Sequence, residues 1–393
     1  MSVASRADAE ERDRVDELGR FRAEFELPKG IIYLDGNSLG ALPRRVRERV
    51  RRSLEHEWGE GLIGAEAGEV VVTDTTSVNL FKVLSVALAA NPERRVIVSE
   101  KTNFPTDLYV IDGVVKQLGG RHEVVLVDAS EEALEKELAV RGAEVAAVVL
   151  THIHYTTSRI WNMARATSAA HAAGAMMVWD LSHSAGIFPL EVGRCGADFA
   201  VGCSYKHLNA GPGAPAFLYV PRRLQGRFTQ PVSGWMGDAR PFEFRSDYAP
   251  AQGIDRYLSG TPAVLATAAV DASAELILEA PMAAIRAKSI ALGELFVDLA
   301  TRHCEGLEIA SPREGAQRGS HVSFRHLDSY PVMQTLIEAG VVGDCRPPDL
   351  LRFGFAPLYL RYVDVWDGVM RLAEVLGTGA WDRAQFRSRK AVT

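Results

Sequence analysis

Three features of this 393-residue chain have the residue types and spacing to do chemistry. Asp180 closes the apolar run MMVWD and leads into LSHSAG. An acid at the end of a buried strand is desolvated unless it meets a cation. Downstream, a second apolar run ends in GCSYKHLNAGPG and sets Lys206 in a polar, glycine-rich loop. Upstream, VVVTDTTSVNLFKVL places Thr75, Thr76 and Ser77 ahead of an apolar helical stretch. Hydroxyls and free N–H groups at a helix N-terminus seat a phosphate. Singly, each feature has an ordinary reading: a solvated lysine, a capping aspartate, capping hydroxyls. Together they supply an amine for an aldehyde, an acid for a pyridine nitrogen and an anion seat. Pyridoxal phosphate requires that set.

The elements that must position these groups follow from patterning. Short, Val-rich apolar runs at 95–99, 123–128, 145–153, 176–180 and 199–203 read as buried strands. Helical stretches separate them, one capped by Ser130 and one spanning 164–173 and stopped by Gly174. Strands joined by helices predict an α/β fold with a mostly parallel sheet covered on both faces. In such sheets ligands bind beyond the carboxyl ends of the strands, where Asp180 and Lys206 fall. The flanks read differently. The first 47 residues hold a charged helix and then IIYLDGNSLGALP, and one long helical stretch is expected from 261 to 288. The expected division is a large domain over 48–265, with 1–47 and 266–393 forming a smaller α+β domain.

Composition excludes several classes. Apolar residues make up 47% and charged residues 24%, the balance of an ordinary soluble protein. A net charge of −6 argues against a dedicated nucleic-acid binder. No run reaches the length of a membrane helix, and the charged N-terminus lacks the apolar core of a signal peptide. Four cysteines without a CxxC pair fit a reduced compartment, so the expected location is the cytoplasm.

The motifs also resemble those of kynureninases, members of the fold type I pyridoxal-phosphate enzymes. The matching stretches are YLDGNSLGALP (33–43), EVVVTDTTSVNLFKVL (69–84), NFPTD (103–107), WDLSHSAG (179–186), GCSYKHLNAGPG (202–213), SGWMGD (233–238), RYLSGTP (256–262) and VVGDCRPPDLLRFGFAPLY (341–359). They stand in family order over most of the chain. The resemblance implies that Lys206 bonds the cofactor aldehyde and that Asp180 pairs with the pyridine nitrogen. It places Phe104 on the cofactor ring, with Asp107 and His183 near its polar edge and Thr151 as another contact. Thr76, Ser77, Tyr205 and Trp235 would hold the phosphate, with Thr261 supplied by the second subunit of a homodimer. Arg352 would clamp the α-carboxylate of an amino acid substrate; its ordinary alternative is a pair with a neighbour such as Asp349. The implied reaction is hydrolysis of the Cβ–Cγ bond of kynurenine or 3-hydroxykynurenine to an anthranilate and L-alanine. Lys206 would move the Cα proton, and Tyr205 would relay protons near the γ-carbonyl.

The resemblance breaks after EWGEGL (57–62), where kynureninases carry an additional Trp-containing stretch that helps enclose the aromatic end of the substrate. Three smaller departures accompany it. His154 and Ser158 stand for Asn and Gly in the family's VNYxTG, and Asp238 stands where His is usual. These changes leave the cofactor residues intact but open a second reading, a different β-substituted or γ-oxo amino acid as substrate. A third reading is a non-catalytic binding protein, although such a protein has no chemical need for Lys206, Asp180 and Arg352 together. His152 and His154 form an HxH pair, but no HExxH or cysteine set completes a metal site, so no metal is expected.

Overall fold

A computed structural model describes residues 5–46, 49 and 69–387. The junction after residue 62 lies outside the described residues.

Among the described residues, a seven-stranded sheet runs in the order Val70–Val72, Phe217–Tyr219, Phe199–Gly202, Met176–Asp180, Val145–Thr151, Val96–Glu100, Glu123–Val127. The last five strands are mutually parallel, and Phe217–Tyr219 is antiparallel to both of its neighbours. Period-2 alternation buries both faces. Ile97, Val149 and Val178 pack under the helices Thr76–Ala90 and Pro105–Gln117. Val98, Val148 and Trp179 pack on the other face, under Glu131–Arg141 and Met163–Ala172. Ser130 caps its helix by accepting the Ala133 N–H, and Gly174 takes the left-handed conformation (φ 75°) after its own.

The long helix expected over 261–288 is two helices, Val264–Leu278 and Met282–His303. Pro281 lacks the N–H that an uninterrupted helix would use, and it precedes the first residue of the second helix.

A second, antiparallel sheet of four strands runs Glu308–Ile309, His321–Arg325, Leu350–Gly354, Asp344–Arg346. It shares an apolar core with both chain ends, including Phe21, Leu34, Phe296, Phe353 and Leu372. Ile32–Tyr33 pairs in parallel with Val341–Val342, and Asp35 bridges Gly354. The loop 35–40 then reaches the first sheet, where the Gly40 N–H donates to the Tyr205 carbonyl at 2.7 Å. Gly40 tolerates no side chain: a Cβ there would lie 2.2 Å from the Lys206 carbonyl oxygen. The segment therefore joins the lysine loop to the second sheet.

Candidate active site

Strand register builds the acid end of the site. Thr151 lies directly opposite Asp180 at the carboxyl ends of adjacent parallel strands. Asp107 reaches them from the first turn of Pro105–Gln117, and all three are buried. Burial and the neighbouring Asp180 push the Asp107 carboxyl far above its usual range, so Asp107 keeps its proton and donates it to Asp180. The single hydrogen of Thr151 Oγ1 is shared between Asn103 Oδ1, the closer acceptor, and Asp107 at 3.3 Å. The Ser182 N–H donates to Asp180 at 2.6 Å.

Lys206 Nζ lies 3.0 Å from His183 Nε2 and 5.8 Å from the centre of the Phe104 ring. His183 is fully buried beside Lys206 and Arg352, which holds its imidazole well below the usual range. The neutral ring accepts from Lys206 through Nε2, so its proton sits on Nδ1, a buried atom without a partner among the described residues. Burial pushes the Tyr205 phenol up, so it stays protonated at neutral pH. Tyr155 meets Phe104 edge to face at 5.2 Å.

Arg352 comes from the second sheet, opposite Ser323 on one side and Asp344 on the other. It is 1% exposed. Its guanidinium donates to the Tyr155 carbonyl at 2.5 Å, to Ser38 Oγ at 2.7 Å and to Asp344. Asp349 instead pairs with Arg325 at 2.9 Å. The neighbour that Arg352 engages is therefore Asp344. Phe104, Tyr155, His183, Tyr205, Lys206 and Arg352 line one cavity of about 490 Å³, together with residues of Ser329–Glu338 and of the 343–347 segment.

Thr76, Ser77, Trp235 and Thr261 do not line that cavity. Thr75 caps the helix by accepting the Val78 N–H at 3.3 Å, and Thr76 and Ser77 are its first two residues, whose N–H groups have no intrahelical acceptor. Trp235 stacks on Phe244 at 5.9 Å, and both Trp235 and Thr261 are exposed. Lys82 ties these pieces together and escaped the sequence reading. Its ammonium, fully buried, donates to Asp74 and to the Tyr257 carbonyl, each at 2.6 Å, linking the helix to the loop before Thr261. A lysine inside the apolar run NLFKVL was the available signal.

Comparison with known proteins decides the family. Kynureninases of Pseudomonas fluorescens and of Burkholderia pseudomallei (strain 1106a) are each 44% identical to this chain over 423 positions, covering 100% of both partners. The chain belongs to the kynureninase family. The kynureninase C-terminal domain matches residues 285–372, which include Arg352. The cysteine desulfurase of Thermococcus onnurineus NA1 superposes with a TM-score of 0.79 at 18% identity, over 92% of this chain and 98% of that one. A C-DES mutant with glycine covalently linked to the PLP cofactor gives 0.77 at 16% identity, over 90% and 99%. The fold is therefore fold type I. Against 393 residues, an alignment of 423 positions leaves 30 without a counterpart in this chain.

The departures from the family's motifs do not line the cavity. His154 Nε2 donates to the Thr102 carbonyl at 2.8 Å while Nδ1 accepts the Thr157 N–H at 3.2 Å, pinning the turn before Phe104. Ser158 adopts a left-handed φ of 66°, the conformation for which the family's glycine is suited. Asp238 accepts the N–H groups of Arg240 and Ala249, both at 2.8 Å, and staples its own loop. His152 bonds Ser184 at 2.8 Å, and no metal-holding group of three ligands occurs among the described residues.

The donor set fits pyridoxal phosphate. It offers an amine, a buried acid pair, an unpartnered His183 Nδ1, an aromatic face at Phe104 and uncapped amides at Thr76 and Ser77.

Proposed function

We propose that this kynureninase-family chain is a pyridoxal 5'-phosphate-dependent hydrolase. It cleaves the Cβ–Cγ bond of L-kynurenine or 3-hydroxykynurenine to anthranilate or 3-hydroxyanthranilate plus L-alanine. The observation that carries the reading is the meeting of Lys206, His183 and Arg352 in one cavity, with the Asp107–Asp180 pair behind it. When bound, the cofactor supplies an electron sink for charge developed at Cα and Cβ. Lys206 would hold the aldehyde, and its amine would serve to move the Cα proton. Asp180 would pair with the pyridine nitrogen, its carboxylate held by Asp107, which Thr151 contacts in turn. Phe104 covers the ring face. Thr76, Ser77, Tyr205 and Trp235 hold the phosphate, and Tyr205 serves as proton donor near the γ-carbonyl. Arg352 receives the substrate α-carboxylate.

Thr261, exposed and away from this cavity, suits a role in the site of a second copy, so the working unit is a homodimer. Residues 48–265 form the cofactor domain, and 1–47 with 266–393 form the smaller one. No helix among the described residues is long and apolar enough to cross a membrane, and the proposed location is the cytoplasm.

The test is incubation of the cofactor-loaded protein with L-kynurenine and with 3-hydroxykynurenine, followed by detection of anthranilates and L-alanine. Both products in equal amounts are expected. A coloured, folded protein that releases neither would overturn the reading. It would favour the second one, another β-substituted or γ-oxo amino acid, which the thirty unmatched alignment positions support.

A further inference from the structure

We propose that Asp344 competes with the substrate α-carboxylate for the guanidinium of Arg352 and so sets how selectively the cavity accepts amino acids. The inference rests on the assignment of Arg352 to that carboxylate. A guanidinium grips a carboxylate in two-point fashion along either of two edges, Nε with Nη2 or Nη1 with Nη2. Both edges need a hydrogen of Nη2. In this protein Nη2 donates to Ser38 Oγ at 2.7 Å and to Asp344 Oδ2, so both of its hydrogens are committed. Nη1 spends one hydrogen on the Tyr155 carbonyl at 2.5 Å. Nε is buried without a partner among the described residues and so offers half of an edge.

A carboxylate arriving at Arg352 must therefore take the place of one Nη2 acceptor. Ser38 is tied on both sides, accepting from Arg352 and donating to Asp344 at 2.7 Å. Asp344 carries the same functional group as the ligand and has an alternative partner, Arg346 Nη2 at 2.7 Å. Eviction of Asp344 thus leaves no unpaired buried charge, which eviction from a lone arginine would. Asp35 faces the same cluster, and burial together with the Asp344 charge raises its carboxyl to about 7. An additional anion is then accommodated beside a carboxyl able to stay neutral. Because strand register holds Asp344 opposite Arg352, the competitor is always present at high effective concentration. A small amino acid with no contacts beyond its carboxylate loses that competition. A ligand that also fills the rest of the cavity wins it.

The experiment uses the cofactor-loaded protein and its Asp344→Asn and Arg346→Met variants. Calorimetric titration with L-alanine is expected to show roughly tenfold tighter binding in Asp344→Asn, the gain of about 1.4 kcal/mol that one weakened competitor would give. KM for L-kynurenine should fall in the same variant. Arg346→Met, which removes the alternative partner, should raise KM. A side chain that merely holds Arg352 in place would weaken ligand binding when changed to Asn. Unchanged or weaker L-alanine binding in Asp344→Asn therefore overturns the proposal. If the wild type fails to turn over kynurenine while Asp344→Asn still binds L-alanine more tightly, the functional reading fails and this one stands.

Discussion

The ammonium of Lys206 is 3.0 Å from Nε2 of His183, and the imidazole is buried and neutral. The lone pair of His183 therefore steadies the one amine in the cavity. Replacing His183 with Phe removes that acceptor while filling the space. We expect kcat to fall on the order of 10²-fold with the bound-cofactor absorbance retained, because a positioned acid–base partner contributes about that much. Lys206→Ala should abolish both turnover and the absorbance of covalently held cofactor. A His183→Phe protein with wild-type kcat would show that the contact is structural only.

The Asp107–Asp180 pair predicts an asymmetry. Asp107 acts as a hydrogen-bond donor to Asp180 and as an acceptor from Thr151. An amide does both jobs without a charge, so Asp107→Asn should keep cofactor binding and lose less than about tenfold in kcat. Asp180→Asn removes the carboxylate proposed to face the pyridine nitrogen and should cost about 10²–10⁴-fold. Equal losses in single-turnover measurements on the two variants would contradict the assignment of the proton.

Lys82 predicts a coupling between stability and cofactor affinity. Lys82→Met leaves the Tyr257 carbonyl without its donor and Asp74, partly exposed, to water. An unsatisfied buried acceptor costs about 1–3 kcal/mol. The melting temperature should drop, and titration with pyridoxal phosphate should show weaker binding although Lys206 is intact. A destabilised variant of unchanged cofactor affinity would separate the two effects.

Glu100 predicts a pH signature. It is fully buried, accepts the Trp161 indole N–H at 2.7 Å, and burial raises its carboxyl from 4.5 to about 7. A carboxyl with a raised folded-state value binds its proton better when folded. Its stabilisation is complete below pH 4.5 and is lost as pH rises through 7. Glu100→Gln removes this dependence. Relative to the variant, the wild type should lose up to ~3 kcal/mol between pH 4.5 and 8. Asp35 titrates equally in both proteins and cancels. Parallel denaturant midpoints across that range would refute the buried carboxyl as the cause.

Much of the site was legible because its chemistry is local to strand ends. Asp180 and Lys206 close or follow Val-rich runs, and their neighbours Thr151 and Phe104 lie in short motifs. Arg352 was legible by motif, but its partner was not. Asp349 is nearer in sequence, whereas the antiparallel register that sets Asp344 opposite Arg352 is a tertiary fact. Asn103 and Lys82 went unnoticed for a related reason, since a buried polar side chain reveals its value only through partners distant in sequence. The three departures from family motifs open the reading of a different substrate, and no motif reveals what each of them touches. Their contacts have His154 pinning a turn, Ser158 in a left-handed conformation and Asp238 stapling a loop. The helix break at Pro281 was visible in the sequence, and the apolar pattern on either side of it concealed its effect.

The hydrogen bond from Arg352 to Ser38 spans 314 residues of chain, and Ile32–Tyr33 finds its parallel partner only at Val341–Val342. During synthesis at roughly 5–20 residues per second, the loop that braces Lys206 waits many seconds for the strand that completes it. The parallel sheet and its lysine can assemble in the interval, but the carboxylate grip cannot. A nascent chain stalled before residue 341 should therefore fold its acid and amine groups and yet lack the guanidinium proposed to hold the substrate carboxylate. On that reading, the amine and its acid are in place well before the proposed substrate grip.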